Sequence, residues 1–311
     1  METNKKKLVT HDGSFHADDI FACATLCMVL EKEGQEFEII RTRDIDIIKD
    51  GDYVFDVGGI YNENTNRFDH HQKGGAGKRE NDIEYASFGL VWKHFGMKLC
   101  DDDIAVWNII DSKIAIPIDA VDNGMDIAIP KYNGVLPYYG DQPFLIFSPT
   151  WQEDESNTNK IFKNEVNNAV RILKREITVA KADVLGRKII IEAYNKSVNK
   201  EIITLENNFP RYLYQNTLST FPEPIYVIYP GRDNDHFKVE AIKKSFDTIE
   251  SRKLFPEAWR GFLNSDINLA KITGVFDALF SHRAGFLITV KTKEGAIKLA
   301  ELALNFSLKT P

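Results

Sequence analysis

Apolar and polar positions along the chain fall into two rhythms. Residues 8–10 read as a short strand that ends in the tract His11-Asp12-Gly13-Ser14-Phe15-His16-Ala17-Asp18-Asp19, after which residues 20–31 carry Ala, Leu and Met with helical character. A strand, a polar glycine-containing loop and a helix are the opening of an α/β unit. Residues 37–42 predict a second strand, and residues 53–59 a third whose polar end, Asp56-Val57-Gly58-Gly59, falls at a carboxyl-terminal sheet edge. In open α/β sheets that edge carries the site. Arg67-Phe68-Asp69-His70-His71 follows a turn-rich stretch, and a glycine-rich charged loop spans 73–82. Helices are expected over 86–95 and 103–113, then a segment 119–124 before a turn, then irregular loop over 133–149.

Residues 159–195 are periodic and charged on alternate faces, predicting one or two bridging helices with Gly186 as a break. Strand-like runs at 202–205, 225–229, 237–242 and 286–290 and a helix at 294–304 predict a smaller α+β domain. The organisation expected is therefore a catalytic domain over 1–195 and a second domain over 196–311. No internal repeat, heptad or low-complexity tract interrupts it.

Composition narrows the classes. The chain has 311 residues, 43% apolar and 27% charged, which suits about two globular domains and not a disordered or fibrous chain. Lys and Arg number 39 against 46 Asp and Glu, a net charge of −7 that removes the generic signature of a duplex-coating protein while leaving a locally basic groove open. The three cysteines, Cys23, Cys27 and Cys100, are sparse and odd in number, favouring a reducing compartment and thiols that act as core hydrophobes. The apolar stretch 20–30 is too short to span a bilayer, which needs about 20 residues. A charged start without an apolar core or long basic leader leads to the expectation of a cytoplasmic protein, also compatible with the nucleus, with no mitochondrial targeting evident.

Asp69-His70-His71 is the sharpest feature, since a chain with only 7 histidines seldom sets two side by side after an Asp. His11, His16 and Asp18 crowd the first strand-to-helix loop, Asp56 ends a later strand, and Asp119 or Asp122 ends another segment. Mixed imidazole and carboxylate donors without thiolate suit Mn²⁺, Fe²⁺, Co²⁺ or Zn²⁺ and make a structural zinc knuckle unsuitable. Carboxylates gathered at one sheet edge repel unless cations neutralise them, and a pair of such cations about 3.5–4 Å apart can activate water and stabilise a leaving oxygen. Phosphoester or phosphoanhydride hydrolysis follows naturally.

Plainer roles compete for several of these residues. Asp12 or Asp18 can cap the helix near Ile20, Cys23 and Cys27 share a helical face suited to core packing, and Asp101-Asp102-Asp103 lacks the EF-hand register. Gly58-Gly59 matches neither a P-loop nor a dinucleotide fingerprint, so ATP and NAD are not implied. In the second part Arg232, Lys238, Arg252, Lys253, Arg260 and Arg283 recur among aromatic residues, consistent with phosphate contacts and base stacking or with an ordinary solvated surface. His282 and Arg283 precede Gly285 and an apolar strand, and His282 also suits a buried structural histidine.

The triplet resembles the DHH phosphoesterase superfamily. The fuller set of segments, residues 11–19, 53–59, 67–72, 119–124, 255–261 and 281–286, resembles the melanocyte-proliferating gene product family within it. That resemblance implies a DHH-like α/β sheet domain bearing metal and an α+β domain binding substrate. It implies that His11, His16 and Asp56 ligate one metal, that Asp18, Asp56, His70 and the Asp119/Asp122 region serve another, and that Asp56 bridges. Asp69 would orient a neighbouring imidazole, His71 would meet the scissile phosphate or leaving group, and His282 would complete phosphate binding. The residues themselves, apart from the resemblance, lead to the expectation of Arg283 beside His282 at the phosphate and of Arg232, Lys238, Arg252 and Arg260 as substrate contacts. His16 stands where the wider superfamily places an aspartate, which bears on metal preference; spacing alone does not choose between Asp119 and Asp122.

The function expected is a metal-dependent phosphodiesterase, with two Mn²⁺ and Mg²⁺ or Co²⁺ as substitutes, acting 3′-to-5′ on single-stranded RNA or short oligonucleotides and releasing nucleoside 5′-monophosphates through a metal-activated hydroxide. A pyrophosphatase or small-nucleotide phosphodiesterase with the same centre, and a noncatalytic RNA-binding protein, are the alternatives. No membrane partner is expected.

Overall fold

A computed structural model describes residues 5–135, 137–138, 140, 142–263 and 267–306. The chain divides into two compact units, Met1–Lys181 and Ala182–Pro311. The first contains β1 (Lys6–Thr10), α1 (Ala17–Lys32), β2 (Phe37–Arg41), α2 (Ile45–Lys49), β3 (Tyr53–Phe55), β4 (Tyr61–Asn62), β5 (Arg67–Phe68), α3 (Ser87–Leu99), α4 (Ile104–Ile110), α5 (Ile116–Asp122) and α6 (Gln142–Leu145). Then α7 (Thr158–Lys196) runs across the division, which lies earlier in this helix than the 195/196 boundary expected from composition. The second unit holds β6 (Ile202–Thr204), α8 (Arg211–Leu218), β7 (Tyr226–Pro230), β8 (Phe237–Ala241), α9 (Ile267–Thr273), β9 (Ala278–Ser281), β10 (Leu287–Val290) and α10 (Lys293–Leu304). Among the described residues no helix is long and apolar enough to cross a membrane.

The first sheet runs β2-β1-β3-β5-β4, parallel through its first four strands with β4 antiparallel at the edge. Its register explains why distant sequence segments meet. Val9 pairs Val54, and Phe55 pairs Phe68. Carried past the strand ends, that register sets His11, Asp56 and Asp69 at one level on three adjacent strands, spaced by about 4.8 Å per strand. Helix α1 is apolar on nearly every side and is buried from Ala17 to Leu30, packed against α3, as such a helix must be. Cys23 and Cys27 are free thiols in that buried stretch, and Cys100 is also free and buried.

The second sheet runs β6-β7-β8-β10-β9, with β6 and β7 parallel and the remainder antiparallel. One face carries Ile228, Val239, Ile288 and Val290 against Leu299 of α10 and Leu269 of α9. Part of the other packs Ile203 and Val227 under Leu213, Tyr214 and Leu218 of α8. The first unit is the expected α/β domain, and the second is α+β.

Several expectations are revised. Gly186 does not break α7; a Cβ there would come 2.6 Å from Leu213 Cδ2, so the glycine admits close packing instead. The helix expected over 103–113 stops at Ile110, a π-type turn covers Asp111–Ala115, and α5 then continues to Asp122. Pro117 lies directly after that π-type turn, in the first turn of α5. The loop expected over 133–149 contains the short α6, while residues 136, 139 and 141 lie outside the described set.

Candidate metal centre

His11 follows β1, Asp56 follows β3, and Asp69, His70 and His71 follow β5, all at the carboxyl ends of parallel strands. They open onto a cleft of about 620 Å³ lined by His11, His16, Asp18, Asp56, Asp69, His71 and Asp122 together with Gly58 and Gly59. Asp56 sits at the centre with φ of 53°, a left-handed conformation that costs about 1–3 kcal/mol and that Asp tolerates better than most residues. This bend presents both carboxylate oxygens. Oδ2 lies 3.2 Å from His11 Nε2, while Oδ1 lies 3.5 Å from His70 Nε2 and 3.4 Å from His71 Nδ1.

His11 shows how the surroundings fix a ligand. Its Nδ1 donates to the Asp12 carbonyl at 2.9 Å, and because a carbonyl only accepts, Nε2 is the atom left for the cleft. That lone pair would face Asp56 Oδ2 and, at 3.3 Å, Asp19 Oδ2. Three acceptors converging in a buried place repel one another until a proton or a cation separates them. Although burial opposes it, contact with Asp19 and Asp56 pushes His11 up to about 10. His70 is likewise driven up to about 11 against its burial by Asp122 and Asp56. Asp56 is held below the usual carboxylate range by His11 and His70 despite burial.

Two buried atoms in this cluster have no hydrogen-bond partner, Asp19 Oδ2 and His70 Nε2. His70 Nε2 is 3.2 Å from Asp122 Oδ2, and Asp18, His70 and Asp122 each offer a ligand atom within 4.8 Å of the others. His11, His16 and Asp56 form a second such group, and Asp56, His70 and His71 a third. Donors about 2.1 Å from one ion stand about 3 Å apart when they occupy adjacent positions, close to the separations seen. The orphaned atoms and the donor chemistry thus fit divalent cations, with Asp56 common to two groups.

The remaining predicted residues sort by what they touch. Asp18, fully buried, accepts from the backbone N–H groups of Ser87 at 3.0 Å and Phe88 at 2.7 Å, tying the first turn of α3, whose cap residue Ala86 has no acceptor side chain, to the cluster. Burial and the nearby Asp122 and Asp56 charges raise its carboxyl well above the ordinary range. Asp119 accepts from Gly89 N–H at 3.0 Å and from the Nε and Nη2 of Arg79 at 2.9 and 2.7 Å, so its charge is spent on a structural clamp. A Cβ on Gly89 would collide with that carboxylate, which is why glycine stands there. Of the two aspartates that spacing left open, the structure brings Asp122 to His70 and turns Asp119 away.

Asp69 Oδ1 accepts from the His71 N–H at 3.1 Å and from His71 Nδ1 at 2.8 Å, and its Oδ2 accepts from Gly59 N–H at 2.5 Å. The imidazole oriented by Asp69 is therefore that of His71, whose other edge is exposed to solvent. The bond to Asp69 raises His71 above its ordinary value, with burial opposing.

Sequence reasoning missed Asp19, Arg43 and Arg79. Asp19 was legible as the residue three positions after a helix-entry residue, and its Oδ1 accepts from His16 N–H at 2.9 Å as in a capping box; neither Asp12 nor Asp18 caps α1. Arg43 also lines the cleft, with Nε 3.3 Å from Asp12 Oδ1. Nearby, the buried Arg41 donates to the Gly13 carbonyl at 2.7 Å and steadies the first loop.

In the second unit, Arg252 donates to the carbonyls of Ser219, Pro222 and Pro224, and Arg260 Nε to the Phe255 carbonyl at 2.8 Å. These bonds give both arginines a loop-holding role that the sequence did not indicate. Arg232 is exposed on the turn after β7, and Lys238 stands on β8 with its Nζ 5.9 Å from the Tyr229 ring centre. His282 accepts from Ala284 N–H at 3.1 Å in the β9–β10 connection, beside the exposed Arg283.

The model of a family described as an uncharacterised protein family (UPF0160), and named for MYG1 exonuclease, matches residues 7–304. An MYG1 exonuclease of Bos taurus is 30% identical over 96% of this chain and 84% of its own length. An MYG1 protein of Caenorhabditis elegans is 29% identical over 97% of this chain and 96% of its own. Among solved structures, the pGpG-specific phosphodiesterase PggH from Vibrio aligns with a TM-score of 0.32 at 14% identity, covering 97% of this chain and 100% of that one. Exonuclease RecJ bound to manganese aligns with a TM-score of 0.26 at 11% identity, covering 97% and 91%. Scores this low lend the two structures no weight for the fold or the site.

Proposed function

This chain belongs to the MYG1 exonuclease family, and from that premise we propose that it removes nucleotides from the 3′ end of single-stranded RNA or short oligonucleotides, releasing nucleoside 5′-monophosphates. The coarser statement, that it is a metal-dependent phosphoesterase, rests on the family and on the donor cluster. The observation that carries the reading is Asp56, whose two oxygens face separate imidazoles, His11 and His70, in a cluster with unpartnered buried donors.

His11, His16 and Asp56 would hold one cation, and Asp18, Asp56, His70 and Asp122 another. When bound, paired divalent cations supply Lewis acidity to the phosphoryl oxygens and lower the pKa of an attacking water. The chain's own residues do the rest. Asp56 fixes the separation of the two donor groups, and the carbonyl of Asp12 sets the tautomer of His11. His71, oriented by Asp69 and raised by it above its ordinary value, would supply a proton to the 3′ oxygen that leaves when water attacks phosphorus and the P–O3′ bond breaks. The shortened strand then ends in a 3′-hydroxyl.

The test is product-resolved hydrolysis of 5′-labelled single-stranded RNA by Mn²⁺-loaded wild type and Asp56→Asn. A ladder of single-nucleotide losses is expected from wild type, with the variant slower by at least about 10³-fold. Strong preference for pyrophosphate over any oligomer would replace this substrate class while leaving the phosphoesterase intact.

A further inference from the structure

The cleft over Asp56 is lined mostly by carboxylates, imidazoles and small apolar groups, and among the described residues that line it Arg43 is the one Lys or Arg. Strand register explains its place. Thr10 pairs Arg41, so two residues further along the same two strands Asp12 comes opposite Arg43. The Thr42 N–H donates to the Thr10 carbonyl at 2.8 Å and the Asp44 N–H to Thr42 Oγ1 at 3.0 Å, which ties down the backbone on both sides of Arg43. Its side chain is held far less firmly. Nε lies 3.3 Å from Asp12 Oδ1, and the two side chains are 67% and 54% exposed. Ion pairs that open to water contribute little and yield readily to a stronger anion.

Two other arginines of this unit are already committed. Arg41 donates to the Gly13 carbonyl and to Asn159 Oδ1, and Arg79 donates to Asp111 and Asp119. Among the described residues the two terminal nitrogens of Arg43 make no hydrogen bond, which leaves free the flat fork that suits two oxygens of a phosphate. Position along the sheet says which oxygens those are. The order β2-β1-β3-β5 puts Arg43 after the first of these strands and His71 after the last, with His11 and Asp56 between them, so about 14 Å of sheet separates the two ends. A phosphoryl group centred over Asp56 would turn its leaving oxygen to His71 and its far side to Arg43. Asp12 ties this cation to the centre, since its carboxylate holds Arg43 while its carbonyl accepts from His11.

We propose that Arg43 binds the non-bridging oxygens of the phosphoryl group undergoing hydrolysis, exchanging Asp12 for the phosphate, and keeps hold of it as the 5′-phosphate of the released nucleotide. The assignment rests on the phosphoesterase reading and not on which oligonucleotide is cut. Nothing along the chain marks Arg43 apart from Arg41 two positions before it; only the order of the strands brings it to the mouth of the cleft.

Calorimetric titration of adenosine 5′-monophosphate into the Mn²⁺-loaded full chain reads this contact without turnover. Wild type should bind it, and Arg43→Gln should weaken binding about 10–100-fold, the scale of a charge-assisted hydrogen bond. Arg43→Lys, which keeps the charge and loses the fork, should restore part of that loss. Adenosine, which lacks the phosphate, should not distinguish Arg43→Gln from wild type. Mn²⁺ itself should bind the variant as tightly as wild type, since Arg43 pairs with Asp12 and with none of the proposed ligands; a merely loop-holding role would loosen Mn²⁺ as well. Wild type that does not bind the monophosphate, a variant that binds it equally, or a loss that only follows loss of Mn²⁺ would overturn the assignment. Arg43-dependent binding of the monophosphate beside a wild type that makes no RNA ladder would keep the assignment and sink the nuclease reading. A normal ladder with binding that ignores Arg43 would do the reverse.

Discussion

Two buried carboxylate systems in this molecule are solved in opposite ways. Glu240 in the second unit has a donor for each hydrogen-bonding direction and sits in a closed network. Asp19, Asp56 and Asp122 in the first unit instead crowd around His11 and His70, with Asp19 Oδ2 and His70 Nε2 buried and unbonded. Native interiors seldom leave such groups unmet, so each exception calls for a cause. A network that is already complete holds a surface in place; one that is short of positive charge is waiting for a cation. The contrast recurs within the first unit, where Asp119 is saturated by Arg79 and Gly89 while Asp122, one turn further along α5, is not.

The sharpest way to break this comparison is to remove one carboxylate from each class. Asp119→Ala strands the buried Arg79 guanidinium with only Asp111, and should cost about 3–5 kcal/mol in chemical denaturation of the metal-free chain. Asp122→Asn removes a partner that holds His70 charged, so the metal-free chain should lose part of the stability His70 contributes below about pH 6.5, a smaller loss than that from Asp119→Ala. Its cost should appear in calorimetric Mn²⁺ titration, as loss or about 10–100-fold weakening of one binding event. Equal destabilisation by both variants would erase the distinction.

A smaller effect sharpens the same point through protons. His11 and His70 are held at about 10 and 11 in the metal-free fold, against an ordinary 6.5. With raised folded values, their contribution to stability is complete below about pH 6.5 and is lost as pH climbs through 10 and 11. Mn²⁺ must displace those protons, so its affinity should rise with pH from neutrality towards that window, with protons released on binding. Titrations at one pH in buffers of different ionisation enthalpy read the release; a heat independent of the buffer would contradict it.

Much of this centre was legible because its ligands sit where strand register brings them. The polar ends after β1 and β3 and the Asp69-His70-His71 triplet stand out along the chain, and adjacency of three parallel strands does the assembly. Asp119 and Asp122 were not separable, since both face one side of a short helix and only the partner Arg79, about forty positions upstream, decides which is consumed. Helix α8 also escaped notice: it is 8 residues long and half polar, so its buried side shows only in the packing. The backbone carbonyls that hold Arg252 and Arg260 are likewise invisible in the sequence, because they come from loops distant along the chain or from irregular turns.

The central claim is that the unmet donors around Asp56 hold a pair of cations. Anomalous scattering from crystals soaked in Mn²⁺, collected at the manganese edge, tests it most directly. The account predicts two peaks about 3.5–4 Å apart, one beside each oxygen of Asp56. A single peak, or peaks away from His11 and His70, would contradict it.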